Sequence, residues 1–180
     1  MIRREAVRLL SAIAAVPFMP RSASAAAELG ERLHRRLREQ SAFRTLNPAQ
    51  QLVVRTISDA IIPRTDTPGA SDVRVPEFID LILTEWADER ERRAFVVGLD
   101  DIDGRARLVG NASFMDLEPA QRTTLLRALD AERGAVDGAG QTFGRIKALT
   151  IYGYFTSEVV HRDVLRAQSF FETYDPCVPT

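Results

Sequence analysis

The chain has 180 residues, enough for one domain with a real buried core. Its 45% hydrophobic and 27% charged residues are ordinary for a globular protein, and a formal charge of −1 leaves no basic footprint for nucleic acid. The single cysteine, Cys177, excludes an internal disulfide, a Cys-x-x-Cys-His haem site and a cysteine-based zinc or iron–sulfur cluster.

Residues 1–27 differ in kind from the rest. Arg3, Arg4 and Arg8 give a basic start, Leu9–Met19 is an apolar run, and Ser22–Ala27 offers Ala-x-Ala cleavage sites after Ala25 or Ala27. This is the layout of an export signal, and its apolar run is shorter than the about 20 residues a membrane-spanning helix needs. The Arg3-Arg4 pair points to the twin-arginine route for folded cargo, although Glu5-Ala6-Val7 lacks that signal's usual Phe-Leu pair and an ordinary secretory signal stays open. Removal after Ala25 takes away four arginines and one glutamate, leaving 20 basic against 24 acidic residues and a formal charge of −4.

Residues 28–46 carry Leu29, Leu33 and Leu37 four apart among His34, Arg35, Arg36 and Arg38, a narrow stripe that reads as a basic helical leader arm rather than core. Residues 47–180 form the expected domain. Asn47-Pro48 is a cap followed by proline at the first helical position, and Leu52, Val53, Thr56, Ile57, Ala60 and Ile61 follow at helical spacing up to Pro63. Pro76 opens another helix with Phe78, Ile79, Ile82, Leu83 and Trp86 on its apolar side. Asp88–Arg93 reads as a solvated helix face or turn before Ala94–Leu99, and Asp100-Asp101 with Asp103 as a solvated acidic turn. Leu117-Glu118-Pro119-Ala120-Gln121 repeats the helix-start solution of Leu46–Gln50. After a glycine-rich break at Gly134–Gly140, Phe143–Val160 presents one broad helical face, and Thr173–Thr180 is an extended tail. No window alternates as a strand does. The expectation is an all-α, single-domain bundle of five or six helices with long ordered connectors and an extended C-terminal tail.

Familiar catalytic constellations are missing. His34 and His161 have no Glu-x-x-His or His-x-x-x-His pairing, so a metal centre is not expected. His161-Arg162-Asp163 lacks the Asn that a kinase catalytic loop requires five residues on, and the Asp100–Gly104 stretch lacks the glycine and glutamate positions of a calcium loop. Aromatic spacing makes Tyr152, Tyr154 and Phe155 core residues before cofactor-pocket residues. The unusual feature is Pro63-Arg64-Thr65-Asp66-Thr67-Pro68-Gly69-Ala70, set between two strong helical patterns where a short turn would serve. Its prolines pre-set the backbone and its Thr and Asp side chains can satisfy exposed amides, which suits a rigid loop built for docking. The alternative is a loop that only caps helices and packs on its own bundle.

Four blocks, in order, carry a resemblance: Asp59–Ala70, Val75-Pro76-Glu77-Phe78-Ile79-Asp80, Tyr152-Gly153-Tyr154-Phe155-Thr156-Ser157-Glu158 and Tyr174-Asp175-Pro176-Cys177-Val178-Pro179. With the arginine-pair leader they resemble the gluconate 2-dehydrogenase subunit 3 family over nearly the whole chain. The resemblance implies a small non-catalytic subunit, without a cofactor of its own, in an oxidoreductase complex acting on CH-OH groups. Its partner would be a large FAD-dependent dehydrogenase subunit of the glucose–methanol–choline type, often joined by a multihaem cytochrome c subunit that carries haem c. The small subunit would aid folding and stability of the large one and bring it to the twin-arginine translocon for release into the periplasm. Pro63, Arg64, Thr65, Asp66, Thr67, Pro68, Gly69, Tyr152, Tyr154 and Cys177 are then the partner-interface candidates, and Arg3 and Arg4 the export signal. The competing expectation is a stand-alone periplasmic enzyme, with Glu77, Asp80, Glu158 or His161 as acid or base, or a binding module with no flavoprotein partner.

Overall fold

A computed structural model describes residues 23–39, 43–132 and 138–165. Arg3, Arg4, Cys177 and the tail lie outside the described residues. Within them are six α-helices and no strand: α1 (Ala23–Glu39), α2 (Pro48–Ile61), α3 (Val75–Glu85), α4 (Glu89–Gly110), α5 (Pro119–Ala131) and α6 (Gly138–Phe155). Short 3₁₀ turns at Ser71–Val73 and Phe114–Asp116 and a wide π turn at Val160–Val164 complete the description. The all-α bundle expected from periodicity is the observed architecture.

Local chemistry sets the helix starts. The Asn47 side chain accepts from Gln50 N, while Gln50 Oε1 accepts from Asn47 N, both at 3.0 Å, and Pro48 takes the first helical position. Asp88 and Glu91 make the same reciprocal pair at the start of α4, so the charged Asp88–Arg93 tract is a cap and first turns. At α5, Gln121 Oε1 accepts from Glu118 N ahead of Pro119.

Helix α6 is the hub, packing against α2, α3, α4 and α5. It is buried on most of its circumference, from Ala139 and Phe143 through Ile146 and Leu149 to Tyr152 and Tyr154. Phe78, Phe95, Ile57, Ile79, Ile82, Ile102 and Leu129 close around it. The closest approach is at Gly98, where an added Cβ would meet Thr142 Cβ at 2.7 Å and the Gly138 carbonyl at 3.2 Å. Only glycine lets α4 and α6 pack this tightly.

Three sequence expectations change. The Asp100–Gly104 stretch is not a turn: Phe95, Leu99, Ile102 and Ala106 continue one buried stripe, and the acids lie on the other faces of α4. Gly138–Gly140 is the first turn of α6 rather than part of the break before it, and residue 140 is glycine where an added Cβ would stand 2.7 Å from the Glu132 Cβ and carbonyl oxygen. The leucine stripe taken for a leader arm is core: Leu29, Leu33 and Leu37 are 2%, 1% and 5% exposed, and α1 packs on α3. Burying three leucines stabilises the docked helix by roughly 1.5–3 kcal/mol each.

Candidate functional site

The loop between α2 and α3 is held at its base and bare at its tip. Pro63 follows the end of α2, where Ile62 N donates to the Ser58 carbonyl, and Ala70 N returns to the Ile62 carbonyl at 3.0 Å, closing the loop. Asp59 then grips the far side, accepting from Ser71 N at 2.9 Å and Ser71 Oγ at 2.7 Å. Asp72 accepts from Gly69 N at 2.8 Å and pairs with Arg64 Nε at 3.3 Å. The Tyr154 hydroxyl reaches from α6 to donate to the Pro68 carbonyl at 2.8 Å.

Within the tip, Thr65 N donates to the Thr67 carbonyl at 3.0 Å and Thr65 Oγ1 donates to Asp66 Oδ1 at 2.9 Å. Pro63, Arg64, Thr65 and Asp66 are exposed, Thr67 and Pro68 half-buried, and Gly69 buried. The loop is thus a shaped projection whose conformation is dictated from below, with two opposite charges near its crest.

The other interface candidates lie elsewhere. Tyr152 and Tyr154 are 1% and 4% exposed, interior residues that touch the surface only through what they hold. Phe78 packs between His34 and Tyr152, with ring centroids 5.0 and 5.7 Å away, and burial pushes the Tyr152 phenol up.

The acid and base candidates are spread over different tasks. Asp80, 2% exposed, accepts from three consecutive backbone amides, Arg44 N at 2.7 Å, Thr45 N at 3.0 Å and Leu46 N at 2.7 Å, anchoring the segment that leads into α2. Glu77 Oε1 stands 4.0 Å from both Arg55 and Arg74, and its buried Oε2 has no hydrogen-bond partner among the described residues. Glu158 is on the surface, paired with Arg38 at 3.3 Å, and His161 is exposed. Among the described residues no three His, Cys, Asp or Glu side chains are grouped to hold a metal ion. No described helix is long and apolar enough to cross a membrane.

His34 is the second feature that joins distant parts of the chain. Its Nε2 lies 3.0 Å from the Gly153 carbonyl and 3.2 Å from Thr156 Oγ1. A carbonyl only accepts, so Nε2 carries the proton. Burial lowers the imidazole from its ordinary value of 6.5 to about 4, against the raising effect of the Gly153 bond, and the nearby charges of Arg38, His161 and Arg74 lower it further. His34 is therefore a neutral clamp between α1 and the end of α6.

Sequence reasoning picked out the loop but missed what pins it: the Tyr154 hydroxyl and the carboxylates of Asp59 and Asp72. The available signal was the twelve-residue interval between Asp59 and Ser71, which a loop folding back on its own helix end would need.

The fold and site define an all-α protein whose distinctive surface element is a loop pinned at its base by side-chain hydrogen bonds. The profile of the gluconate 2-dehydrogenase subunit 3 family matches residues 48–170, more than half of the chain. The chain belongs to this family, named for a subunit of a dehydrogenase complex. No curated protein and no solved structure matches it.

Proposed function

We propose that this protein is the non-catalytic small subunit of a periplasmic FAD-dependent sugar or alcohol dehydrogenase of the glucose–methanol–choline type. It assists the folding and stability of the large subunit and leads it through the twin-arginine translocon. The flavin, and any haem c, belong to the partner subunits, and no redox step is assigned to the residues of this chain.

Membership of the family supports the reading, and one structural observation carries it. Pro63–Asp66 stands exposed on a base fixed by Tyr154, Asp59 and Asp72. Because the loop is already ordered, docking it loses little conformational freedom. Arg64 and Asp66 place a donor-rich and an acceptor-rich group on the same crest, which suits a partner surface with both signs of charge.

The test is affinity purification of the full-length chain, tagged at its C-terminus, from the periplasm of its host, with an absorbance spectrum of the eluate. Flavin bands from a co-purifying large subunit are expected. A colourless monomer without a partner would overturn the reading.

A further inference from the structure

The last turn of α6 is closed from outside the helix. The Ser157 amide, which would continue the helical ladder to the Gly153 carbonyl, goes to the Tyr154 carbonyl at 3.2 Å, and the Gly153 carbonyl faces His34 Nε2 of α1 at 3.0 Å. α1 thus supplies a cap from 119 residues away. The next residue is Tyr154, whose hydroxyl holds the Pro68 carbonyl at the base of the α2–α3 loop. The carbonyl that α1 caps and the side chain that pins the loop are neighbours in one turn.

Packing repeats the link. Phe78, which stacks on His34, lies so close to Gly153 that an added Cβ there would meet its Cδ1 at 2.7 Å. Gly30, a turn before His34, presses on Thr156 in the same way, with an added Cβ 2.6 Å from the Thr156 Cβ. The exit of the loop leans on α1 as well: Arg74, just after the Ser71–Val73 turn, donates from Nη1 to the Leu37 carbonyl at 2.9 Å. Lifting α1 away would uncap the turn that bears Tyr154 and release the Arg74 contact together, and helix ends stripped of such partners fray.

We propose that α1 is a clasp for the α2–α3 loop: its seating caps the last turn of α6 and so holds Tyr154 where it pins the loop. The use of this clasp in partner capture rests on the docking role proposed above. By linkage the coupling runs both ways, so a partner that grips the loop in its pinned shape also tightens α1 on the bundle.

Amide hydrogen exchange on the full-length chain tests the clasp with two variants. His34→Phe keeps a ring against Phe78 and removes the donor to Gly153, and Gly30→Ala wedges α1 away from Thr156. The amides of Thr65, Gly69 and Ala70, each hydrogen-bonded within the loop and its base, should exchange roughly two- to tenfold faster in both, the range expected for losing one hydrogen bond. The Ser157 amide should follow them. Gly98→Ala strains the opposite end of α6, against Thr142, and should leave these amides at wild-type rates even where it lowers the melting temperature. Gly30→Ala carries the test if His34→Phe does not fold.

Unchanged loop exchange in the α1 variants, or equal acceleration in Gly98→Ala, would overturn the clasp. Faster loop exchange with undiminished recovery of flavin on the tagged chain would leave the clasp standing and overturn the docking role instead.

Discussion

Tyr154, near the end of α6, holds the Pro68 carbonyl at 2.8 Å across 86 residues of sequence. This one hydrogen bond ties the base of the loop to the central helix. Tyr154→Phe keeps the ring against Phe155 and removes only the donor, so a loss of about 0.5–1.5 kcal/mol is expected in urea unfolding. The amides of the loop should exchange faster, and partner capture should weaken. Unchanged amide exchange at Arg64–Gly69 would show that Asp59 and Asp72 suffice.

Arg64→Ala and Asp66→Ala separate docking from stability. Arg64 forms an exposed ion pair with Asp72, worth ~1 kcal/mol at most. Both variants should therefore melt close to the wild type while co-purifying less of the large subunit. Lowered melting with full partner recovery would make the loop a capping device of its own bundle.

Asp80 accepts from three consecutive backbone amides ahead of α2. Asp80→Ala would strand the amides of Arg44, Thr45 and Leu46, the first two partly buried and the last buried. At about 1–3 kcal/mol for each unsatisfied donor, with water recovering part, a loss of roughly 3 kcal/mol or more is expected in urea unfolding. Asp80→Asn keeps one acceptor oxygen and should fall between.

His34 makes stability depend on pH in one direction. The folded imidazole titrates at about 4 and the unfolded one near 6.5. Below pH 6.5 the unfolded state takes up a proton that the folded state refuses until about pH 4, so stability falls as pH drops through that window and does not change on this account above it. The whole effect is on the order of 3 kcal/mol. The difference in urea midpoint between wild type and His34→Gln should shrink or reverse between pH 7 and pH 4.5. A constant difference would remove His34 as the source.

Gly98→Ala should destabilise the bundle by about 1–3 kcal/mol through overpacking against Thr142. Thr142→Ala removes the hydroxyl but keeps the Cβ 2.7 Å from the new methyl, so the double variant should recover only part of the melting temperature.

The features legible in the sequence are those set by near neighbours. Asn47-Pro48 and Pro119 announce their helices because a cap is a matter of three or four residues. The α2–α3 loop is legible because prolines and a glycine restrict the chain wherever they stand. Asp100–Asp103 misled because acids favour turns locally, and only the spacing of Leu99, Ile102 and Ala106 shows the helix running on. The leucines of α1 form a stripe too narrow to declare itself core, and what decides their burial is α3, some forty residues further on. The roles of Tyr154 and Asp80 depend on segments 86 and about 35 residues away, beyond the reach of any local pattern.

The clamp between His34 and Gly153 also orders events in time. Synthesis runs from the N-terminus, so α1 is the first described helix to be made, yet its partners Gly153 and Thr156 emerge 119 and 126 residues after His34 and Gly30. The earliest helix cannot make these contacts until the central helix is complete, whatever has folded in between. A truncated chain that stops short of residue 153 leaves the Leu29, Leu33 and Leu37 stripe without this end of its seat, and so carries its defect at the end of the molecule made first.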